Sequence, residues 1–275
     1  MEEKKKTNII ALTDFTEYGN SAVRHAATLA LVFKSSLTVV HRFGFRASSI
    51  SQPTENEEFR KIIAEFSDRV NITVSNYPFL PHLLHHFAER NNTIMFVIGV
   101  SRKNGETFFN LRRALKFIAP SRLPVMTVGA TDPIDPLWLN VLTTLDINRQ
   151  EKEKSLWSGY FNRYGGATVH VLHTTYKDEF LREKLRDNLE FTDKLYQNLD
   201  IQAEKHEIAK ANDLDNYALS HAADYHGCLL VIMTTSYKTV IDLLFGVKEK
   251  YLIANRFGLP VLCINERDDL YVLCT

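Results

Sequence analysis

The chain has 275 residues, 45% of them hydrophobic and 24% charged, which excludes a disordered or collagen-like protein. Lysine plus arginine and aspartate plus glutamate balance at 33 each, so no global charge would recruit nucleic acid or an acidic membrane. No apolar run approaches the roughly 20 residues of a membrane span, and the three cysteines form no C-x-x-C pair. We therefore expect a cytoplasmic protein without a disulfide framework.

The first half of the chain alternates apolar strand runs with amphipathic helical stretches. Thr54, followed by Glu57 three residues later, predicts a capping box that opens the second helix. Continuously apolar runs such as 95–98 are typical of strands buried on both faces of a parallel sheet. Strands are predicted near 8–13, 36–42, 71–76, 93–99 and 124–128, and helices near 17–34, 54–69, 79–90 and 107–119.

The second half repeats the first. Asp14 follows the first strand, and Asp146 follows a similar run 132 residues later. The run that ends at His41 recurs at the same offset and ends at His173, and two later landmarks recur in the same order. Such ordered recurrence indicates a duplication. Strands are predicted near 138–145, 167–173, 201–207, 228–233 and 260–264, and two helices are predicted to begin at Thr175 and Asn212.

The duplication predicts two domains, at 7–129 and 137–265. The linker at 130–136 contains two prolines and two aspartates, which suits an exposed, extended join. The tail at 266–275 is predicted to add a short edge strand or to pack on the surface.

Several of these segments resemble the universal stress protein family. They are Ile9–Glu17, the strand that ends at His41, Phe96–Arg102 and Leu123–Val125. The resemblance extends over both repeats and implies an α/β fold of two tandem, doubly wound (Rossmann-like) parallel sheets. Each sheet would have five strands in the order 3-2-1-4-5. It also implies that the two repeats pair through strand five as an intramolecular pseudo-dimer.

One branch of that family binds ATP, and the resemblance implies where its site would lie here. The family motif has an Asp after strand one, a residue at the end of strand two and a loop G-x2-G-x9-G-[S/T] after strand four. Glycines in such a loop let backbone N–H groups approach phosphates, at the edge where open α/β sheets bind ligands. The candidate nucleotide-site residues are Thr13, Asp14, Arg42, Gly99 and Arg102.

The nucleotide motif is degenerate in both repeats. In the first, Arg102 stands at the second glycine position and Asn110-Leu111 replaces the final G-[S/T] pair. In the second, Thr234 aligns near the first glycine and Gly246-Val247 replaces the final pair. Side chains would fill the space that phosphates need, so we expect no cofactor, with ATP or AMP disfavoured. The cations Arg102, Lys103, Arg112 and Arg113 could instead hold an anion, although a solvated basic helix start is favoured.

Other candidate residues have competing structural explanations. Asp14 and Asp146 are equally typical of turns and helix caps. His82 and His86, with Glu89, have a spacing that could chelate a metal, but an exposed helix face is favoured and no metal site is predicted. His170 and His173 lie three apart on a strand, so they face opposite sides.

The functional hypothesis is a non-catalytic stress-response or regulatory protein that acts through protein contacts or a small ligand. No G-x-S-x-G elbow surrounds Ser21, Ser101 or Ser236, so we predict that the protein is not an enzyme. The first alternative is an ATP- or AMP-binding switch, and a less favoured one is a metal- or anion-binding protein. Expected partners are the chain's own second repeat and an unidentified protein. A homodimer remains an alternative, and neither nucleic acid nor a membrane is expected as a partner.

Overall fold

A computed structural model describes residues 6–41, 56–77, 80–103, 105–133, 138–148, 151–209, 213–234 and 249–265. The residues of the sequence analysis that lie outside these ranges are Arg42, Thr54, linker residues 134–136, Asn212, Ser236, Gly246, Val247 and the tail at 266–275. The chain divides into two compact units, Met1–Pro133 with Ser236–Gly258, and Ile134–Thr235 with Leu259–Thr275. The described residues 249–258 belong to unit 1, whereas the sequence analysis includes them in the second domain. Among the described residues, no helix is long and apolar enough to cross a membrane.

Unit 1 contains a parallel sheet in the order β3-β2-β1-β4-β5. All six residues of β1 are buried, as expected for a central strand covered on both faces. The elements are β1 (Asn8–Thr13), α1 (Glu17–Val32), β2 (Ser36–His41), α2 (Glu57–Phe66), β3 (Ile72–Asn76), α3 (Pro81–Arg90), β4 (Thr93–Gly99), α4 (Leu111–Ile118) and β5 (Val125–Val128).

Unit 2 repeats this architecture in the order β8-β7-β6-β9-β10, which is 3-2-1-4-5 when its own strands are numbered from one to five. The prediction of two parallel, doubly wound, five-stranded sheets is therefore confirmed. The elements are β6 (Asn140–Leu145), α5 (Lys152–Gly165), β7 (Thr168–Thr174), α6 (Glu179–Leu199), β8 (Ala203–Ile208), α7 (Leu214–Ala222), β9 (Cys228–Thr234) and β10 (Val261–Asn265). A short helix between β9 and β10 in the chain, α8 (Glu249–Ile253), belongs to unit 1.

Three predicted helix starts differ from those in the structure. Helix α2 is capped by Asn56, whose side-chain oxygen accepts from Phe59 N at 2.7 Å, rather than by Thr54. Helix α6 is capped by Asp178 rather than Thr175. Asp213, rather than Asn212, caps α7. Short polar residues occur in clusters before each helix, and local spacing alone does not choose among them.

Each sheet has a topological switch point beside its first strand. In unit 1, β1 lies between β2 and β4, and the connections leave it in opposite directions. Open α/β sheets bind ligands in the crevice at the carboxyl ends of such strands. The residues that follow β1 and β4 therefore form the place to examine for a functional site.

Candidate functional site

The candidate site of unit 1 begins at a tight turn after β1. Thr13 is buried, and its hydroxyl accepts a hydrogen bond from Phe15 N at 3.0 Å. Phe15 has a φ of 61°, a left-handed conformation that is unusual for an aromatic residue. Thr16 caps helix α1 by accepting from Gly19 N at 3.2 Å. This turn directs the Asp14 side chain into the crevice between the ends of β1 and β4.

The Asp14 carboxylate accepts four hydrogen bonds from two segments of the chain. Oδ1 accepts from the backbone N of Thr16 at 3.2 Å and from its hydroxyl at 2.6 Å. Oδ2 accepts from the Thr107 hydroxyl at 2.9 Å and from the Phe108 backbone N. Four donors nearly fill the acceptor positions of one carboxylate. The loop between β4 and α4 is thereby attached to Asp14, the candidate nucleotide-site residue that the family resemblance implies.

Two glycines allow helix α1 to approach the strand ends closely. A Cβ on Gly99 would lie 2.1 Å from the Tyr18 carbonyl oxygen. A Cβ on Gly19 would lie 2.6 Å from Asp14 Oδ1 and 2.7 Å from Thr13 Oγ1. Gly99, predicted as a phosphate-site glycine, therefore has a packing role in this structure. Sequence reasoning missed Gly19, which stands in no recognisable glycine motif.

The loop after β4 contains the acidic residue Glu106, which lies close to a basic residue of the same loop. Glu106 accepts hydrogen bonds from Ser101 Oγ and, at 2.9 Å, from the Tyr18 hydroxyl, and the two bonds lower the pKa of its carboxyl. Lys103 Nζ lies 3.4 Å from Glu106 Oε1. Arg102 donates from Nε to the carbonyl oxygen of Ala254, which belongs to the same unit. Within the part of the loop that the structure describes, the side chains of Arg102 and Lys103 thus have partners other than Asp14.

An aromatic cluster anchors the other end of this loop. Phe108 and Phe109 are buried and pack edge to face, with ring centroids 4.9 Å apart. The Arg113 guanidinium lies 4.9 Å from the Phe108 ring centroid, and its NH1 donates to the Phe108 carbonyl at 3.0 Å. Burial of two phenylalanines stabilises the loop by several kcal/mol, at roughly 2 kcal/mol for each side chain. The closed position of the loop thus rests on apolar packing as well as on Asp14.

A cavity of about 470 Å³ opens beside helix α1 of unit 1. Arg24 is its central cation, and it forms ion pairs with Glu58 at 2.5 Å, Glu65 at 3.2 Å and Asp132 at 2.9 Å. Three carboxylates around one guanidinium give this cavity a net negative charge, which is unfavourable for the binding of a phosphate. This cavity is therefore a poor candidate for an anionic ligand.

Ser21 and His25 form a contact that resembles a nucleophile and its base. Ser21 Oγ lies 3.4 Å from His25 Nδ1, but the hydroxyl donates to the Thr131 carbonyl at 2.5 Å. Nδ1 lies 2.9 Å from the Ser21 carbonyl oxygen, so it carries the proton that it donates there. Burial lowers the pKa of His25 to about 4. A buried imidazole with this pKa, whose Nδ1 is a donor, is not a base for Ser21.

In unit 2 the residue equivalent to Asp14 is also engaged within the chain. Asp146 Oδ1 accepts from Ile147 N at 2.8 Å and from the Tyr176 hydroxyl. Burial and this bond raise the pKa of Tyr176 to about 12. The loop that follows β9, including Gly246-Val247, lies outside the described residues. Both predicted aspartates thus lie at the expected strand ends, with intramolecular hydrogen bonds at each.

A buried ion pair distinguishes unit 2 from unit 1. Lys154 is 1% exposed, forms an ion pair with Glu151 and donates to Thr144 Oγ1 at 2.6 Å. Thr144 in turn donates to Asp215 Oδ1 at 2.7 Å. At the equivalent positions of the first repeat stand Gly19 and Ala22, so the duplication does not predict this network. The sequence showed no signal for it, because a helical Lys three residues after Glu is typical of an exposed pair.

The histidines of the chain are arranged differently from the prediction. His82, His86 and Glu89 are exposed on α3, and the metal-ligand group found among the described residues is elsewhere. That group is His170, Glu204 and His206, on β7 and β8. The spacing of His170 and His173 along β7 does not indicate this group, because its other members lie on β8. The alternation of Glu204 and His206 along β8 was the signal that could have revealed the group.

No protein-family model matches the chain, and no curated protein matches it. Solved structures do match. A universal stress protein from Archaeoglobus fulgidus aligns with 94% of this chain and 98% of its own, with a TM-score of 0.67 and 12% identity. A putative universal stress protein from Pseudomonas aeruginosa aligns with 98% and 96%, with a TM-score of 0.60 and 13% identity.

The cytoplasmic domain of a prokaryotic cation chloride cotransporter is also similar. It aligns with 98% of this chain and 99% of its own, with a TM-score of 0.52 and 9% identity. The matches to universal stress proteins extend over both repeats. The chain therefore has the tandem universal-stress-protein fold, as its sequence predicts, and at these identities the likeness concerns the fold.

Proposed function

We propose that this chain is a non-catalytic regulatory protein of the stress-response type, in which the first nucleotide crevice is closed by the protein's own loop. The observation that carries the proposal is the pair of hydrogen bonds from Thr107 and Phe108 to Asp14 Oδ2. Its activity would then depend on protein contacts or on a small ligand other than ATP.

The energetic argument compares the closed loop with a bound nucleotide. A ribose hydroxyl that bound Asp14 would replace donors already in place, and each hydrogen bond to a charged group contributes about 1.5–3 kcal/mol. Opening the loop would also expose Phe108 and Phe109, which are buried. The phosphate subsite would gain no compensating glycine cradle, since Arg102 stands where the second glycine of the motif would be. The free energy of nucleotide binding is therefore expected to be less favourable here than at a site with the complete motif.

The proposal that the protein is not an enzyme rests on the surroundings of two serines of unit 1, Ser101 and Ser21. Ser101 donates to Glu106, an acceptor whose pKa is lowered, so that carboxylate is a weak base. Ser21 is oriented by Thr131, and its neighbour His25 has a lowered pKa. An activated nucleophile needs a base within reach and near its working pKa. Neither serine has one.

A nucleotide-binding switch is the alternative function, and one observation favours it. Arg102 and Lys103 are exposed at the end of β4, next to the crevice. If the loop from Ser101 to Asn110 opened, their side chains would be free to turn toward a phosphate group. Nucleotide binding would then be coupled to loop opening, and the Asp14 bonds to Thr107 and Phe108 would break.

Thermal denaturation of the full chain distinguishes these functions. A ligand that prefers the folded state raises the Tm by mass action. We expect ATP with Mg²⁺, AMP and cyclic AMP to leave the Tm unchanged at millimolar concentration. The variant Thr107→Val removes one donor from Asp14 and tests whether loosening the loop creates affinity.

The two outcomes have opposite meanings. A rise of several degrees with ATP that Asp14→Ala abolishes would establish the switch and reject the closed crevice. A rise that appears only in Thr107→Val would support closure by the loop as the reason that the wild-type protein does not bind. The control is Asp132→Ala, which removes a carboxylate from the neighbouring cavity and is expected to change neither result.

A further inference from the structure

Strands β7 and β8 of unit 2 place three metal-ligating side chains on one face. His170 and Glu204 are register partners in this parallel pair, and His206 lies two residues beyond Glu204. Alternate residues of a strand face the same side, so the three side chains lie together. Helix α7 packs against β7, and the ring of Tyr225, three residues after the end of that helix, lies 4.6 Å from the His170 ring.

The distances among the three ligand atoms fit a single ion. His170 Nδ1 lies 3.1 Å from His206 Nε2 and 3.3 Å from Glu204 Oε2. His206 Nε2 lies 3.8 Å from Glu204 Oε2, so the three ligand atoms form a triangle. Ligands of a tetrahedral Zn²⁺, each about 2.0–2.2 Å from the metal, are separated by about 3.3–3.6 Å. A tetrahedral ion slightly above the plane of this triangle would therefore require only small adjustments of the three side chains.

Asn140 sets the tautomer that a metal needs. Its Nδ2 donates to the His226 carbonyl oxygen at 2.9 Å, which leaves Oδ1 facing His170 Nε2 at 3.0 Å. Since Oδ1 is an acceptor, Nε2 carries the proton, and the lone pair of the neutral ring lies on Nδ1. Metal-ligating histidines commonly donate their other N–H in this way, which fixes the ring orientation.

The first repeat provides an internal comparison. Asn8, the counterpart of Asn140, accepts from Ser36 at 3.1 Å and from Thr38 at 3.2 Å. Thr38 stands where the second repeat has His170. The register positions of Glu204 and His206 hold Thr73 and Ser75 in the first repeat. The supporting asparagine is thus present in both repeats, whereas the three candidate metal ligands are present only in the second.

We propose that His170, Glu204 and His206 bind a divalent transition metal ion, with Zn²⁺ as the preferred ion. Two imidazole nitrogens and one carboxylate oxygen form a donor set typical of zinc, and a water molecule would complete the tetrahedron. His170 is buried, whereas Glu204 is exposed, so the ion has a route from solvent. The bound ion would fasten the edge strand β8 to β7.

Calorimetric titration of the chelator-treated full chain with Zn²⁺ tests this site. We expect one ion per chain, and a loss of affinity of about tenfold or more in His206→Gln and in Glu204→Gln. The matched control is His82→Gln combined with His86→Gln, which removes two exposed histidines from α3 and is expected to leave binding unchanged. Co²⁺ in place of Zn²⁺ should give the intense visible absorption of a tetrahedral site.

The variants are first compared without metal by thermal denaturation. Glu204 is exposed, so Glu204→Gln should fold normally even if His206→Gln does not. Absence of Zn²⁺ binding to the wild-type chain would overturn the proposal and leave a hydrogen bond between the two rings. Equal affinity in Glu204→Gln, or loss of binding in the α3 control, would also overturn it, because the ion would then be held elsewhere.

Discussion

The hydroxyl of Thr107 donates a 2.9 Å hydrogen bond to Oδ2 of Asp14, a residue 93 positions earlier in the chain. This bond joins the loop after β4 to the turn after β1, across the crevice where doubly wound folds bind ligands. Asp14 is thus a structural acceptor in this chain. Its presence alone does not indicate a nucleotide site.

Replacing Asp14 should destabilise unit 1. In Asp14→Ala the Thr107 hydroxyl and the Phe108 N–H lose their acceptor, and leaving such groups unsatisfied costs about 1–3 kcal/mol each. We expect the free energy of unfolding in urea to fall by about 2–4 kcal/mol. Asp132→Ala, at an exposed carboxylate, should change it by less than about 1 kcal/mol. Equal effects of the two variants would contradict a structural role for Asp14.

Gly99 should not tolerate a side chain. In Gly99→Ala the new Cβ would meet the Tyr18 carbonyl oxygen at 2.1 Å, so β4 and α1 would have to separate. We expect a loss of more than about 3 kcal/mol in unfolding free energy, or insoluble protein. Gly129→Ala is the matched control, because its nearest heavy atom would be 3.9 Å from the new Cβ. A stable Gly99→Ala variant would show that Gly99 has another role.

The burial of His25 should make the protein acid-sensitive. Desolvation lowers its pKa from 6.5 to about 4, so between these values the unfolded chain binds a proton that the folded chain does not. Stability therefore falls as the pH drops from about 6.5 to about 4, by about 3 kcal/mol from this group. Urea unfolding of His25→Asn across this range should show a smaller loss, and an unchanged pH profile would contradict the assignment.

The buried pair of Lys154 and Glu151 should be strongly coupled. In Lys154→Met the Glu151 carboxylate keeps its buried position without its cation, and removing one partner of such a pair typically costs about 3–5 kcal/mol. The double variant Lys154→Met with Glu151→Gln removes both charges and should recover much of that loss. Urea unfolding of the two single variants and the double variant measures the coupling. Additive effects would mean that the two charges do not interact.

Most of the fold could be predicted from the sequence. Strand and helix periodicity located the five strands of each sheet, and the interval of 132 residues between Asp14 and Asp146 revealed the duplication. Periodicity is a local property of the chain and duplication is visible by comparing its two halves, so neither signal depends on tertiary contacts between side chains. The pairing of the two repeats through strand five stays a prediction.

The site was less predictable because its contacts join distant segments. Asp14 and Gly99 were located correctly at strand ends, but their partners Thr107 and Tyr18 belong to no motif. The group around His170 depends on the register between β7 and β8, which a single sequence does not specify. Lys154 was missed because its helix spacing is that of a surface residue, whereas the fold buries it.

The central claim is that the loop after β4 closes the crevice of unit 1 against nucleotides. Isothermal titration of the purified full chain with ATP and Mg²⁺ tests it most directly. The account predicts no heat of binding at millimolar ATP for the wild-type chain. Saturable binding of one ATP, lost in Asp14→Ala, would contradict it.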